Sequence, residues 1–194
     1  MGSREKILQN ILSQKAATKV LPPLEQNFQN DSDNVKKFCD VLESIGGKAV
    51  EVVTWKGIMD HLAKQPYASK GRIVSTIPDL PWYVAQFGHD PHSFENVDLS
   101  VLKGHFGVAE NGAVWITEGL MGDRSTPFIS QHLALVINKR DIVPTLGEAY
   151  DRIDAVSYDF GIFIAGPSKT ADIEQSLVLG AHGPKTMTVF LLSM

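Results

Sequence analysis

The chain has 194 residues, 43% hydrophobic and 21% charged, with a formal net charge of −4 at pH 7. This is an ordinary globular composition, long enough to hide roughly 70% of the unfolded surface in one core. Its weakly acidic balance excludes an electrostatic footprint for nucleic acid or an anionic membrane surface. The single cysteine, Cys39, excludes an internal disulfide and cannot supply the thiolates of an iron–sulfur cluster.

The first residues lack the apolar core of a secretory signal, and no run reaches the length of a membrane span. Lys6 stands where a myristoylation motif requires Ser or Thr. The expected location is the cytoplasm. Ile7, Leu8, Ile11 and Leu12 recur at helical spacing and predict a short amphipathic helix over 6–15. Leu21-Pro22-Pro23-Leu24 breaks it, and a polar linker over 25–34 follows. This segment reads either as a mobile arm or as a docking element for a partner or a second subunit.

From Asp33, residues Val35, Phe38, Cys39, Leu42 and Ile45 share one helical face. Asp31, Ser32 or Asp33 can cap the helix, and Gly46-Gly47 ends it. Cys39 lies on the apolar stripe and is read as a core residue. A β-branched strand follows over 49–53, then a helix over 55–65 with Ile58, Met59 and Leu62 inward, then a strand over 72–77 stopped by Pro78. Helix and strand in alternation predict parallel strands joined by right-handed crossovers. Trp82 and Tyr83 offer either an aromatic wall or ordinary packing. His89-Asp90-Pro91-His92 lacks the ordered spacing of a zinc site.

The middle of the chain changes period. Apolar runs over 104–109 and 113–117 flank Glu110-Asn111-Gly112, and Asn-Gly between such runs signals an antiparallel hairpin. A strand over 132–137, a helix over 146–153, a strand over 161–165 and a strand over 186–192 complete the pattern.

The chemistry concentrates in the later turns. The strand ending at Ala165 runs into Gly166-Pro167-Ser168-Lys169-Thr170-Ala171-Asp172-Ile173-Glu174, and Gly180-Ala181-His182-Gly183-Pro184 follows. In open α/β sheets, polar groups at the carboxyl ends of strands are where ligands bind. Ser168 or Thr170 can cap a helix that carries Asp172 and Glu174 in its first turn, which by itself accounts for the pattern. Alternatively, the N–H groups with Ser168, Lys169 and Thr170 hold a carboxylate or phosphate. The neighbouring carboxylates favour a small hydroxy or oxo acid over a highly charged nucleotide. Pro167-Ser168 occupies the place where a phosphate loop needs Lys followed by Ser or Thr, so the stretch is not one. His182 can act as acid, base or hydrogen-bond donor. Glu110 and Glu118 flank the hairpin strands and His132 opens the next one, which makes all three candidates for the same mouth.

The pairing of GPSKTADIE with GAHGP resembles the LutC/YkgG lactate-utilisation family, the LUD domain (formerly DUF162). The likeness extends over about residues 35–194, through Gly107–Gly112, His132–Val136 and Asp141–Pro144. Asn111 stands where many members have Thr. The resemblance implies a three-layer α/β sandwich with a mostly parallel sheet, of the type shared by NagB, ribose-5-phosphate isomerase (RpiA) and CoA transferases, plus the antiparallel hairpin. The arm and linker over 1–30 lie outside the resemblance, and residues 31–194 are expected to form a single LUD-type domain. The resemblance also implies a part in oxidising L-lactate to pyruvate beside iron–sulfur partner proteins that carry the clusters, with no cofactor or metal in this chain. A homo-oligomer stays open. On this reading Glu110 and His182 are the catalytic candidates, and Glu118, His132, Ser168, Lys169, Thr170, Asp172 and Glu174 bind a small-molecule anion. The alternative is a stand-alone isomerase, CoA transferase or cyclo-ligase on the same scaffold, with Glu110 as nucleophile or base.

Overall fold

The computed structural model describes residues 2–14, 31–69, 71–85, 94–153, 158–171 and 177–193. A first helix, α1 (Ser3–Ser13), carries its apolar side chains outward: Ile7, Leu8, Ile11 and Leu12 are all exposed. The linker expected over 25–34 falls largely outside the described residues, and residues 31–34 already belong to α2 (Asp31–Ser44). Asp31, Ser32 and Asp33 are therefore inside the helix.

Helices and strands then alternate as β1 (Lys48–Val52), α3 (Trp55–Leu62), a 3-10 turn (Pro66–Ser69), β2 (Arg72–Ser75) and β3 (Val97–Lys103). Thr54 starts α3, its hydroxyl accepting the Gly57 N–H at 3.2 Å. After β3 come β4 (Phe106–Val108), β5 (Ala113–Thr117), α4 (Glu118–Met121), α5 (Thr126–Ile129), β6 (His132–Asn138), β7 (Ile142–Val143) and α6 (Leu146–Ile153). The chain closes with β8 (Gly161–Ile164), β9 (Lys169–Ala171), β10 (Leu177–Leu179) and β11 (Thr186–Leu192). β3 is absent from the expected strands.

The main sheet is parallel throughout, in the order β1-β11-β6-β3-β2. Both faces are covered, so its central strands are apolar on both sides. Along β11, Met187, Val189 and Leu191 face one core, whereas Phe190 and Leu192 face the other. The second core includes Ile58 and Leu62 of α3. The first lies against Phe38 and Leu42 of α2 together with Val114 and Ile116 of β5. The smaller sheet, β7-β4-β5-β8, is mixed. The result is a three-layer α/β sandwich of α3, the parallel sheet, and a layer made of α2 with the smaller sheet. Ala149 and Ile153 of α6 cover the outer side of that smaller sheet at Phe106, Val108 and Trp115. Cys39 is half-buried against the first core, and burial, with Glu51 and Asp40 nearby, pushes its thiol pKa upward. That is the environment of a packing cysteine.

Two expectations change. The hairpin forms, but its strands pair in the smaller sheet and its loop spans the four residues Ala109–Gly112. Gly112 has φ 66° and donates its N–H to Val108 O, while the Asn111 side chain accepts from the Ala113 N–H. The Asn side chain thus holds a loop one residue longer than the expected Glu110-Asn111-Gly112 connection. Secondly, no helix begins at Ser168 or Thr170. Residues 169–171 form β9, paired antiparallel with β10, and Asp172 and Glu174 lie outside the described residues.

Candidate functional site

The two glycine-rich motifs meet at the end of α2. Gly166 has φ 72°, and a Cβ there would stand 3.0 Å from Ile45 O, so the turn after β8 admits only glycine without strain. A Cβ on the neighbouring Gly46 would lie 3.6 Å from Pro167 Cγ and 3.7 Å from Lys169 Nζ. Ser168 donates its N–H to Pro184 O, and its carbonyl accepts from Gly180 N. A Cβ on Gly183 would come within 3.0 Å of Ser168 Cβ. The Lys169 turn and the His182 loop are therefore laced together beside the start of β1.

This assembly stands at the amino ends of the parallel strands. The turn does follow the carboxyl end of β8, but β8 belongs to the smaller sheet and runs antiparallel to β5. The expected position at the main sheet's carboxyl end is thereby reversed. The backbone N–H of Ser168 is engaged by Pro184, so it does not serve as a free anion donor.

Beside the turn opens a cleft of about 630 Å³, within the usual range for small-ligand sites, lined by Gly46, Lys48, Tyr67, His132 and Thr186 among others. Parallel pairing sets His132 of β6 directly opposite Thr186 of β11, and their Nδ1 and Oγ1 lie 2.8 Å apart. Tyr67, on the 3-10 turn, stacks on the imidazole with centroids 4.4 Å apart and planes at 29°. Burial pushes the His132 pKa below its usual value, Lys185 adds to the depression, and Asp98 opposes it. Burial likewise raises the Tyr67 pKa, so its phenol keeps its proton. The cleft holds this imidazole and phenol with Lys48 in its lining, Lys185 acting on the imidazole and Lys169 beside Gly46. None of the three lysines forms an ion pair among the described residues. Such an arrangement can hold an anion and exchange a proton at the ring nitrogen left over by Thr186.

The remaining candidates fall elsewhere or play visible parts. Glu110 accepts the Leu146 N–H at 2.8 Å and caps α6. Glu118 is at the opposite end of β5 from Glu110, 2.8 Å from Arg124, whose guanidinium holds the carboxyl below the usual range. His182 is exposed on the loop that packs against Ser168, and Thr170 pairs with Val178 across β9 and β10. Tyr67, Lys48 and Thr186 carry no motif; only the register of the parallel strands and the 3-10 turn bring them in. Trp82 packs partly buried against the α3-side core, and Tyr83 is exposed. His89 and His92 lie outside the described residues. Among the described residues no group of three or more His, Cys, Asp or Glu can hold a metal ion, and no helix is long and apolar enough to cross a membrane.

A parallel sheet covered on both faces, with a smaller mixed sheet in the outer layer, defines a three-layer α/β class. Within that class the chain belongs to the LUD domain family, whose model matches residues 67–192. It is 25% identical over 171 residues to a lactate utilization protein C of Macrococcus caseolyticus, covering 84% of this chain and 70% of the relative. To the protein of the same description from Oceanobacillus iheyensis it is 27% identical over 104 residues, 50% of this chain and 45% of the relative. With that from Anoxybacillus flavithermus it shares 31% over 100 residues, 51% of this chain and 46% of the relative. In most of these matches the aligned part spans about half the relative's length. A DUF162 family protein from Deinococcus radiodurans shares the fold, with TM-score 0.60 and 15% identity over 85% of this chain and 99% of the other.

Proposed function

We propose that this chain is the acid-binding subunit of a lactate-utilisation system, working with iron–sulfur partner proteins that accept electrons as L-lactate becomes pyruvate. The observation that carries this reading is the 630 Å³ cleft lined by Lys48 and His132, with Lys185 near enough to act on the imidazole and Lys169 Nζ beside the lining residue Gly46. The relatives described as lactate utilization protein C support it. Lys169 and Lys48 would hold the carboxylate of a small hydroxy or oxo acid, with His182 and Ser168 at the rim. His132 would take the hydroxyl proton, and the second proton and two electrons of the oxidation would be taken up by the partner proteins. Glu110, engaged as a helix cap, has the weaker claim to that proton.

Thermal denaturation with L-lactate, pyruvate, CoA and ribose 5-phosphate tests the proposal. A ligand at a hundred times its dissociation constant stabilises by about 2.7 kcal/mol. L-Lactate or pyruvate is expected to raise the midpoint, and Lys169→Ala or His132→Gln to weaken that effect about tenfold, near 1.4 kcal/mol. Stabilisation by CoA or sugar phosphate alone, or normal growth on L-lactate after deletion of the gene, would overturn it.

A further inference from the structure

A second hollow lies on the outer face of the smaller sheet, between β4, β5 and α6. It has a volume of about 430 Å³ and is lined by His105, Phe106, Trp115, Thr117, Arg152 and Tyr158. A smaller hollow of about 160 Å³, lined by Lys103, Asn138 and Asp141, adjoins it through His105. The smaller hollow, at the ends of β3, β6 and β11, stands at the edge where open α/β sheets ordinarily receive ligands.

Its walls are aromatic. Trp115 and Phe106 are nearly buried, and Tyr158, at the rim, meets Trp115 edge-on at 5.3 Å. Its polar groups are cationic or neutral. The Arg152 guanidinium lies 4.9 Å from the Phe106 centroid and uses one Nη2 contact, at 2.8 Å, on Asp141. Its planar fork has further donors to offer. His105 Nε2 lies 2.8 Å from Thr117 Oγ1, which leaves Nδ1 for another partner. Burial, then Arg152 and Lys103, depress the His105 pKa, which marks a positive local field. Lys103 forms no ion pair among the described residues.

We propose that this hollow binds a planar aromatic anion, its ring against Trp115, Tyr158 and Phe106 and its carboxylate or phosphate held by Arg152 and His105. The site is separate from the acid-binding cleft and does not depend on that cleft's assignment.

The full chain is titrated with 2-naphthoate, 2-naphthyl phosphate, neutral 2-naphthalenemethanol and non-aromatic cyclohexanecarboxylate, followed by calorimetry and tryptophan fluorescence. Saturable binding of one or both aromatic anions is expected, with each control at least tenfold weaker. The preferred anion tells carboxylate from phosphate. Arg152→Gln and, independently, Tyr158→Ala should each weaken binding about tenfold while circular dichroism stays unchanged. Both side chains are substantially exposed, so neither change threatens the fold. Absence of saturation, equal affinity for the neutral alcohol, wild-type binding by both variants, or displacement by excess L-lactate or pyruvate would each overturn the proposal.

Discussion

Replacing Glu110 separates a structural task from a catalytic one. Its carboxylate accepts the Leu146 N–H at 2.8 Å, at the first turn of α6, where four backbone donors otherwise lack helical partners. Capping bonds of this kind contribute about 0.5–2 kcal/mol. An acidic group near the positive end of the helix dipole adds about 0.3–1 kcal/mol when exposed. Glu110 is exposed, which places the expected loss for Glu110→Ala near 1–1.5 kcal/mol, and about half of that for Glu110→Gln, which keeps an acceptor oxygen. In a chain of this size 1 kcal/mol moves the thermal midpoint by about 2–4 °C. Calorimetry should therefore show Glu110→Ala melting about 3–5 °C lower, while the affinity for L-lactate or pyruvate stays as in the parent. An unchanged midpoint combined with lost binding or lost lactate oxidation would refute this reasoning and return Glu110 to the chemistry.

Acidification should destabilise the fold, because burial depresses the pKa of His61, His105 and His132. Between the folded values and the ordinary value near 6.5 the unfolded chain binds more protons, so stability is full above that range and falls as pH drops through it. Urea midpoints between pH 7.5 and 5 will show the decline, and it should be shallower in His132→Gln; a midpoint that rises on acidification would contradict the assignment. Leu135→Ala, at a fully buried position in the core between the sheets, should cost about 2–5 kcal/mol. A urea loss below 1 kcal/mol would show that this core collapses around the deletion.

Much of the fold is legible in the sequence because periodicity reports burial. The stripe Val35, Phe38, Cys39, Leu42 and Ile45 gives α2, and the run from Thr186 to Leu192 has the bounds of β11. β3 is less visible because Asp98 and Ser100 interrupt its apolar pattern. Ser100 is fully buried, and its hydroxyl is satisfied by Thr126 O at 3.1 Å, a bond no local pattern announces. Ser168 and Thr170 resemble helix caps by composition, yet antiparallel pairing with residues 177–179 draws the segment into a strand. The site was legible only as separate motifs. His132, Ser168 and Lys169 do gather beside one another, but which end of the sheet they occupy follows from β8 joining the smaller sheet. Lys48 and Thr186 enter through strand register, and Tyr67 through the 3-10 turn. Arg152 and His105 meet only because α6 packs over the hairpin.

The position of β11 bears on how the polypeptide becomes native. β1 lies at the edge of the parallel sheet, and its sole neighbour there is the last strand of the chain. During synthesis the segment ending at Val52 must wait, unpaired, until Thr186–Leu192 leaves the ribosome and slots between it and β6. Such late, sequence-distant closure makes for slow maturation and a vulnerable nascent intermediate. Any shortening that removes the final strand would cut β1 off from the rest of the sheet.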